Sequence, residues 1–173
     1  MRSSGPTPAR LPRWIVLRAA VLASLIAAAC AKPPDPDEWL ADVGRLDTDV
    51  LPVVEALKVT FYLLEPGRCR MLDYTRGNYR DGGPACKDVV LFDAEARGDF
   101  DRMTAAIERS GVAVERVLRL DGWVHVRVPD SSLQYNWAYV YGPDPASAPQ
   151  ATLPAEQWTH IRGRWWFHRE HDD

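Results

Sequence analysis

The chain has 173 residues, 46% of them hydrophobic and 26% charged, with 21 basic residues against 24 acidic ones and a net charge of −3 at pH 7. That length suits one domain with a core of its own, and the acidic balance argues against broad nucleic-acid binding or electrostatic adhesion to an anionic membrane. No run of about 20 apolar residues occurs, so no transmembrane helix is expected.

The first segment carries Arg2, Arg10, Arg13 and Arg18 and no acid, and an apolar run from Ala19 to Ala29 follows. A cationic start, a short apolar core and small residues before a cut are the three parts of an export signal. Ile26-Ala27-Ala28-Ala29 then leads directly into Cys30. The arrangement resembles a bacterial lipoprotein signal peptide with its lipobox, although Ala27 stands where that family favours Leu. The resemblance implies cleavage before Cys30 and lipid on its thiol, hence a lipid-anchored protein of the cell envelope. Ala31 follows the cysteine, where an Asp would imply inner-membrane retention. The resemblance therefore implies the outer membrane, facing the periplasm. A plain signal peptide cut after an Ala-x-Ala site, or a buried N-terminal helix, are the other readings of the same residues. Cleavage would leave 17 basic residues against 24 acidic ones, so that the acyl chains, at ~0.8 kcal/mol per buried CH₂, would have to do the anchoring.

Residues 31–38, Ala-Lys-Pro-Pro-Asp-Pro-Asp-Glu, have the proline and acid density of an extended tether. The expected organisation is a signal peptide over 1–29, a lipidated tether over 30–38 and a single globular domain over 39–173. From Asp47 to Leu64 the spacing of Val50, Val54, Leu57, Phe61 and Leu64 predicts a helix. Asp49 would cap it, Pro52 would fall in its first turn, and Pro66-Gly67 would end it.

Cys69 and Cys86 remain as an even pair in an exported chain and are expected to form a disulfide. A metal or redox pair is the alternative, but no Cys-x-x-Cys and no neighbouring His supports it. The enclosed segment is locally basic and contains tyrosines. Arg70, Tyr74, Arg76, Tyr79 and Arg80 are the candidate binding residues, because Arg and Tyr are favoured at interfaces and a cross-linked loop loses less entropy on binding. A solvated loop held by its own Arg–Asp pairs is the plainer reading. A second helix is predicted over Phe100–Arg109, capped by Asp99, ended by Gly111 and not carried back through Gly98.

Beyond Gly111 the apolar period becomes two. Val112–Leu120 and Trp123–Val128 flank Asp121-Gly122, a two-residue hairpin signal. In the strand Leu133–Tyr141, the residues Leu133, Tyr135, Trp137, Tyr139 and Tyr141 share a face, either as core or as an aromatic platform for sugar rings or a partner. Residues 142–154 read as a loop. A last hairpin over Gln157–His168, turning at Arg162-Gly163, would set Trp158 opposite Phe167 and His160 opposite Trp165. The expected fold is α+β: two helices on one face of an antiparallel sheet of about five strands, with a disulfide-closed loop.

The chain has no Gly-x-Ser-x-Gly, His-Glu-x-x-His, Walker or dinucleotide motif. No catalytic residue, cofactor or metal is therefore assigned. The His168-x-x-His171-Asp172-Asp173 end has suitable metal-ligand types but reads as a polar terminus. His125 and His160 could serve as a general base in a cleft, or as half-buried structural histidines. The leading expectation is a non-enzymatic binding or structural module of the envelope, with a protein or glycan partner. The alternative is a hydrolase or metal-dependent enzyme using His125 or His160.

Overall fold

The computed structural model describes residues 35–65, 69–82, 86, 89–129, 135–144, 149 and 156–171, with backbone alone at 36, 65, 135 and 171. Its first element is a continuous helical rod made of α1 (Pro36–Arg45), a π-helical turn (Leu46–Val50) and α2 (Leu51–Leu57). Asp35 caps α1 through a capping box: its carboxylate accepts from Asp37 N at 3.1 Å, and Glu38 accepts from Asp35 N at 3.2 Å. Pro52 explains the π turn. It has no N–H to give to the carbonyl four residues back, and its ring would crowd that carbonyl. The rod widens instead, and Leu51 N reaches Leu46 O, five residues back. Lys58, in the left-handed region at φ 56°, ends the rod.

Three strands follow: β1 (Phe61–Glu65), β2 (Cys69–Tyr74) and β3 (Gly77–Gly82). Then comes α3 (Ala94–Ser110), and five more strands complete the chain: β4 (Arg116–Leu120), β5 (Trp123–Arg127), β6 (Tyr135–Tyr141), β7 (Gln157–Arg162) and β8 (Trp165–His171). All eight lie in one antiparallel sheet of order β3-β2-β1-β4-β5-β6-β8-β7. The core lies between this sheet and the helices. Val43, Leu46, Val50 and Val54 of the rod and Phe100, Met103 and Ile107 of α3 join Tyr62, Leu72, Val117, Val124, Val126, Tyr139 and Phe167 of the sheet in one buried cluster.

Polar groups on the core face find partners on the helices. Tyr139 donates to Asp42, Tyr74 donates to Asp99 at 3.1 Å, Tyr79 to Asp93 at 3.3 Å and Trp165 Nε1 to Asp47 at 3.1 Å. The Tyr62 and Thr104 hydroxyls share a bond at 3.0 Å. A buried hydroxyl without a partner is costly, so the acids on the helices determine which sheet face can carry tyrosine. Burial first, and then the neighbouring Asp99 carboxylate, push Tyr74 up to about 12.

The α+β class, the helices on one sheet face and the Cys69–Cys86 bond agree with the sequence reading, and several details differ from it. The sheet has eight strands rather than about five. Phe61 and Leu64 belong to β1 and not to the end of a helix, which closes at Leu57. The helix begins at Pro36, so the last three residues assigned to the tether form its first turn; residues 31–34 lie outside the described residues. Within the segment closed by the disulfide, residues 69–82 form a regular β2–β3 hairpin, and residues 83–85 lie outside the described residues. α3 starts at Ala94 on an Asp93 cap and passes through Gly98, where nothing crowds the missing side chain. The turn Asp121-Gly122 has both residues at positive φ, 48° and 84°, as a two-residue hairpin requires. The last hairpin turns at Gly163-Arg164, with Gly163 at φ 53°. Trp158 therefore pairs with His168 and His160 with Trp166, one residue from the expected register.

A candidate aromatic cleft on the open sheet face

Alternation along a strand sends neighbours to opposite faces. On β5, Val124 and Val126 enter the core, so Trp123, His125 and Arg127 face away from the helices. On β8 the same logic buries Trp165 and Phe167 and turns Trp166 and His168 outward. Cross-strand pairing then builds an aromatic ladder on the open face: Trp158 stacks on His168 at 4.1 Å, and His160 lies 4.7 Å from Trp166. His125 stands edge-on to both Trp158 and His168, each at 6.5 Å. Ala138 and Val140, on β6 between these strands, are buried although they lie on the same face.

At one end of the ladder is a cleft of about 270 Å³ lined by Leu120, Asp121, Trp123, His125, Pro149, Glu156 and Trp158. Gly142 fixes one wall. A Cβ there would meet Trp123 Cζ3 at 2.7 Å, so the indole can occupy its position only against a glycine. The Gly142 backbone is held in turn by Arg164, whose backbone oxygen accepts from Gly142 N at 2.8 Å and whose Nε donates to Gly142 O at 2.7 Å. His125 is pushed down to about 4, first by burial and then by the neighbouring His168, so it is a neutral imidazole at pH 7. Burial lowers His168 as well, against the opposing pull of Glu156 and Glu170. Among the described residues, the buried Trp158 Nε1, Trp166 Nε1 and His168 Nε2 find no hydrogen-bond partner.

The residues singled out from the sequence are distributed differently. Cys30 lies outside the described residues. Cys69 and Cys86 are bonded, with their Cα atoms 5.2 Å apart. Arg70, Tyr74, Arg76, Tyr79 and Arg80 all fall on the β2–β3 hairpin, but alternation divides them between the two faces. Each has an intramolecular partner. Arg70 pairs with Asp81 at 2.7 Å, Arg80 with Asp73 at 3.1 Å, and Arg76 with Glu95 of α3. The two tyrosine hydroxyls bind Asp99 and Asp93, as above. The hairpin thus braces itself against α3. Trp137 and Tyr139 of the predicted aromatic row are core; Leu133 lies outside the described residues, and only the backbone of Tyr135 is described.

His160 lies exposed on the edge strand, with Nε2 3.1 Å from Gly163 O in its own turn, whereas His125 lies in the cleft. The tail motif of His168, His171 and the two final aspartates falls partly outside the described residues. Among the described residues no group of three His, Cys, Asp or Glu side chains could hold a metal, and no helix is long and apolar enough to cross a membrane. The cleft was not legible in sequence because Trp158 and His168 meet only through the register of the last hairpin. The available signal was the alternation Trp123-Val-His125-Val-Arg127, which marks a second face with its own chemistry. Comparison of the chain with protein-family models, with curated proteins and with solved structures finds no match.

Proposed function

We propose that the protein is a lipid-anchored module of the cell envelope, held through Cys30 at the outer membrane, whose domain binds a ligand without transforming it. The cationic leader and the Ala-Ala-Ala-Cys run support the anchoring. The observation that carries the binding reading is the cleft walled by Trp123 and Trp158 over the neutral His125. Indole faces supply contact area at low cost in entropy, and the Gly142 wall pre-organises one of them. The hairpin arginines are a weaker candidate surface, because a ligand would first have to displace their carboxylate partners. In a titration followed by the indole N–H signals, a true ligand shifts Trp123 and Trp158 together. Trp158→Leu should abolish that response at Trp123 while the fold persists. A ligand-induced response that survives Trp158→Leu would place binding elsewhere.

The second reading, an enzyme using His125, is favoured by one observation: Glu156 lines the same cleft. An imidazole held near pKa 4 is a weak proton acceptor at neutral pH, where general bases work best with values close to 7. Loss of a hydrolytic activity in a folded His125→Gln protein would reverse the order of the two readings.

A further inference from the structure

On the open face we infer a second site, for a phosphate group, built on Arg116 and Arg127; it is independent of the cleft and of the reading given to it. Register places the two residues directly opposite each other on β4 and β5. Val117 and Val126 beside them enter the core, so alternation turns both arginines onto the open face. They belong to one row across the sheet, in which Met71, Leu63, Arg116, Arg127, Ala138 and His168 are successive partners. Like charges directly opposite are unfavourable in a sheet. The neighbours on either side sharpen this, because Leu63 and Ala138 are only 8% and 6% exposed, and a less polar surrounding screens charge less. Glu115 lies 3.6 Å from Arg116 and answers one of the two charges. The Arg116 Nε is buried and finds no hydrogen-bond partner among the described residues. A buried donor without an acceptor calls for an explanation, and a bound anion supplies one. Beyond Ala138, the acids Glu156 and Glu170 and the cation Arg127 all act on His168, which marks the far side of the row. Phosphate suits the pair better than carboxylate. The two coplanar oxygens of a carboxylate are satisfied by one guanidinium fork. Two forks rising from neighbouring strands, with Cβ atoms about 5 Å apart, can share a tetrahedral anion that offers three or more oxygens. A phosphate has that shape whether it is free, esterified to a small alcohol or carried on a lipid.

The test uses the purified full chain, read by the Nε–H signals of Arg116 and Arg127 and by the unfolding midpoint. The probes are inorganic phosphate, glycerol 3-phosphate, acetate at matched ionic strength, and phosphatidylcholine vesicles with and without phosphatidic acid. Phosphate is expected to shift both arginine signals saturably, to raise the midpoint and to bind more tightly than acetate. Arg127→Met keeps most of the stem and removes the charge. It should weaken phosphate about tenfold or more, the loss expected for a hydrogen bond to a charged group. Arg127→Lys, which keeps the charge without the fork, should recover only part of that loss. In phosphate-free buffer Arg127→Met should hold or raise the midpoint, since it removes one of two opposed like charges. A lowered midpoint there means that an acid already satisfies Arg127, and it overturns the site. A response at the indole signals alone belongs to the cleft and also overturns this site, as does the lack of any arginine shift with every probe. Equal affinity for acetate overturns the phosphate class. Binding of the two soluble phosphates, without flotation on phosphatidic acid vesicles that depends on Arg127, identifies a soluble source. Flotation that Arg127→Met removes identifies a lipid head group.

Discussion

Gly142 controls an aromatic wall that it does not itself form. Its backbone is not in the left-handed region, so Gly142→Ala carries no conformational strain, only the 2.7 Å approach to the Trp123 ring. The ring must then move, and overpacking of this kind costs about 1–3 kcal/mol. The expected outcome is a displaced Trp123 indole signal at a modest loss of thermal stability; an unmoved signal would mean that the ring is not pinned there. His125 makes a different kind of prediction. Above pH 6.5 both folded and unfolded chains keep this imidazole neutral, and it adds no pH dependence. Between 6.5 and about 4 the unfolded chain binds a proton that the folded one refuses, so stability falls as pH falls, and the effect saturates below about 4. The loss is at most about 3 kcal/mol. Urea midpoints at pH 7.5 and 4.5 should differ less in His125→Phe than in the parent, and an equal difference would show that His125 does not resist protonation.

Among the elements, the disulfide joins β2 to a point beyond β3 with a sequence separation of 17. Loss of a cross-link around a loop of this size costs about 3 kcal/mol in the chain-entropy account. Cys69→Ser with Cys86→Ser should therefore lower the denaturant midpoint by a corresponding amount with the sheet retained, as read by circular dichroism. The elements also show what was legible. Asp121-Gly122, the Gly111 end of α3 and the buried face of Phe100, Met103 and Ile107 were readable because turn chemistry and helical period are local. β1 was not: Phe61 and Leu64 continue the helical spacing of Val54 and Leu57, and the switch to strand is made by Lys58 adopting the left-handed region, which no local preference announces. β2 and β3 were hidden because Arg70, Asp73, Arg80 and Asp81 interrupt the apolar alternation, their charges being paired only once the hairpin exists. The start of the rod was hidden by Pro36, which reads as tether but is well suited to the first turn of a helix. The aromatic cleft depended on a register that moved by one residue when the turn moved from Arg162-Gly163 to Gly163-Arg164, and a slip of one exchanges the faces.

For the whole molecule, the proposed anchor places lipid on Cys30, five residues before the capping residue Asp35. Fully extended, that interval spans at most about 18 Å, so the domain would ride close to the bilayer rather than on a long tether. Cys30→Ser should leave an unprocessed or soluble protein. Persistence of the Ser variant in membranes after alkaline washing would remove the lipid assignment.

An eight-stranded open sheet has two raw edges, and each is a template on which another chain could build. At one of them, Arg80 N of β3 is already occupied by Val90 O at 2.8 Å. The segment that supplies this contact starts at Cys86, and the bond to Cys69 keeps it within reach. It also carries Val89, Val90 and Leu91, which are 50%, 50% and 70% exposed. The cross-link therefore acts as a latch as well as a brace. With the bond reduced, the same edge would be open beside three apolar side chains, which is the combination that seeds strand-by-strand polymerisation. If the chain is exported as proposed, oxidation after export would remove that hazard.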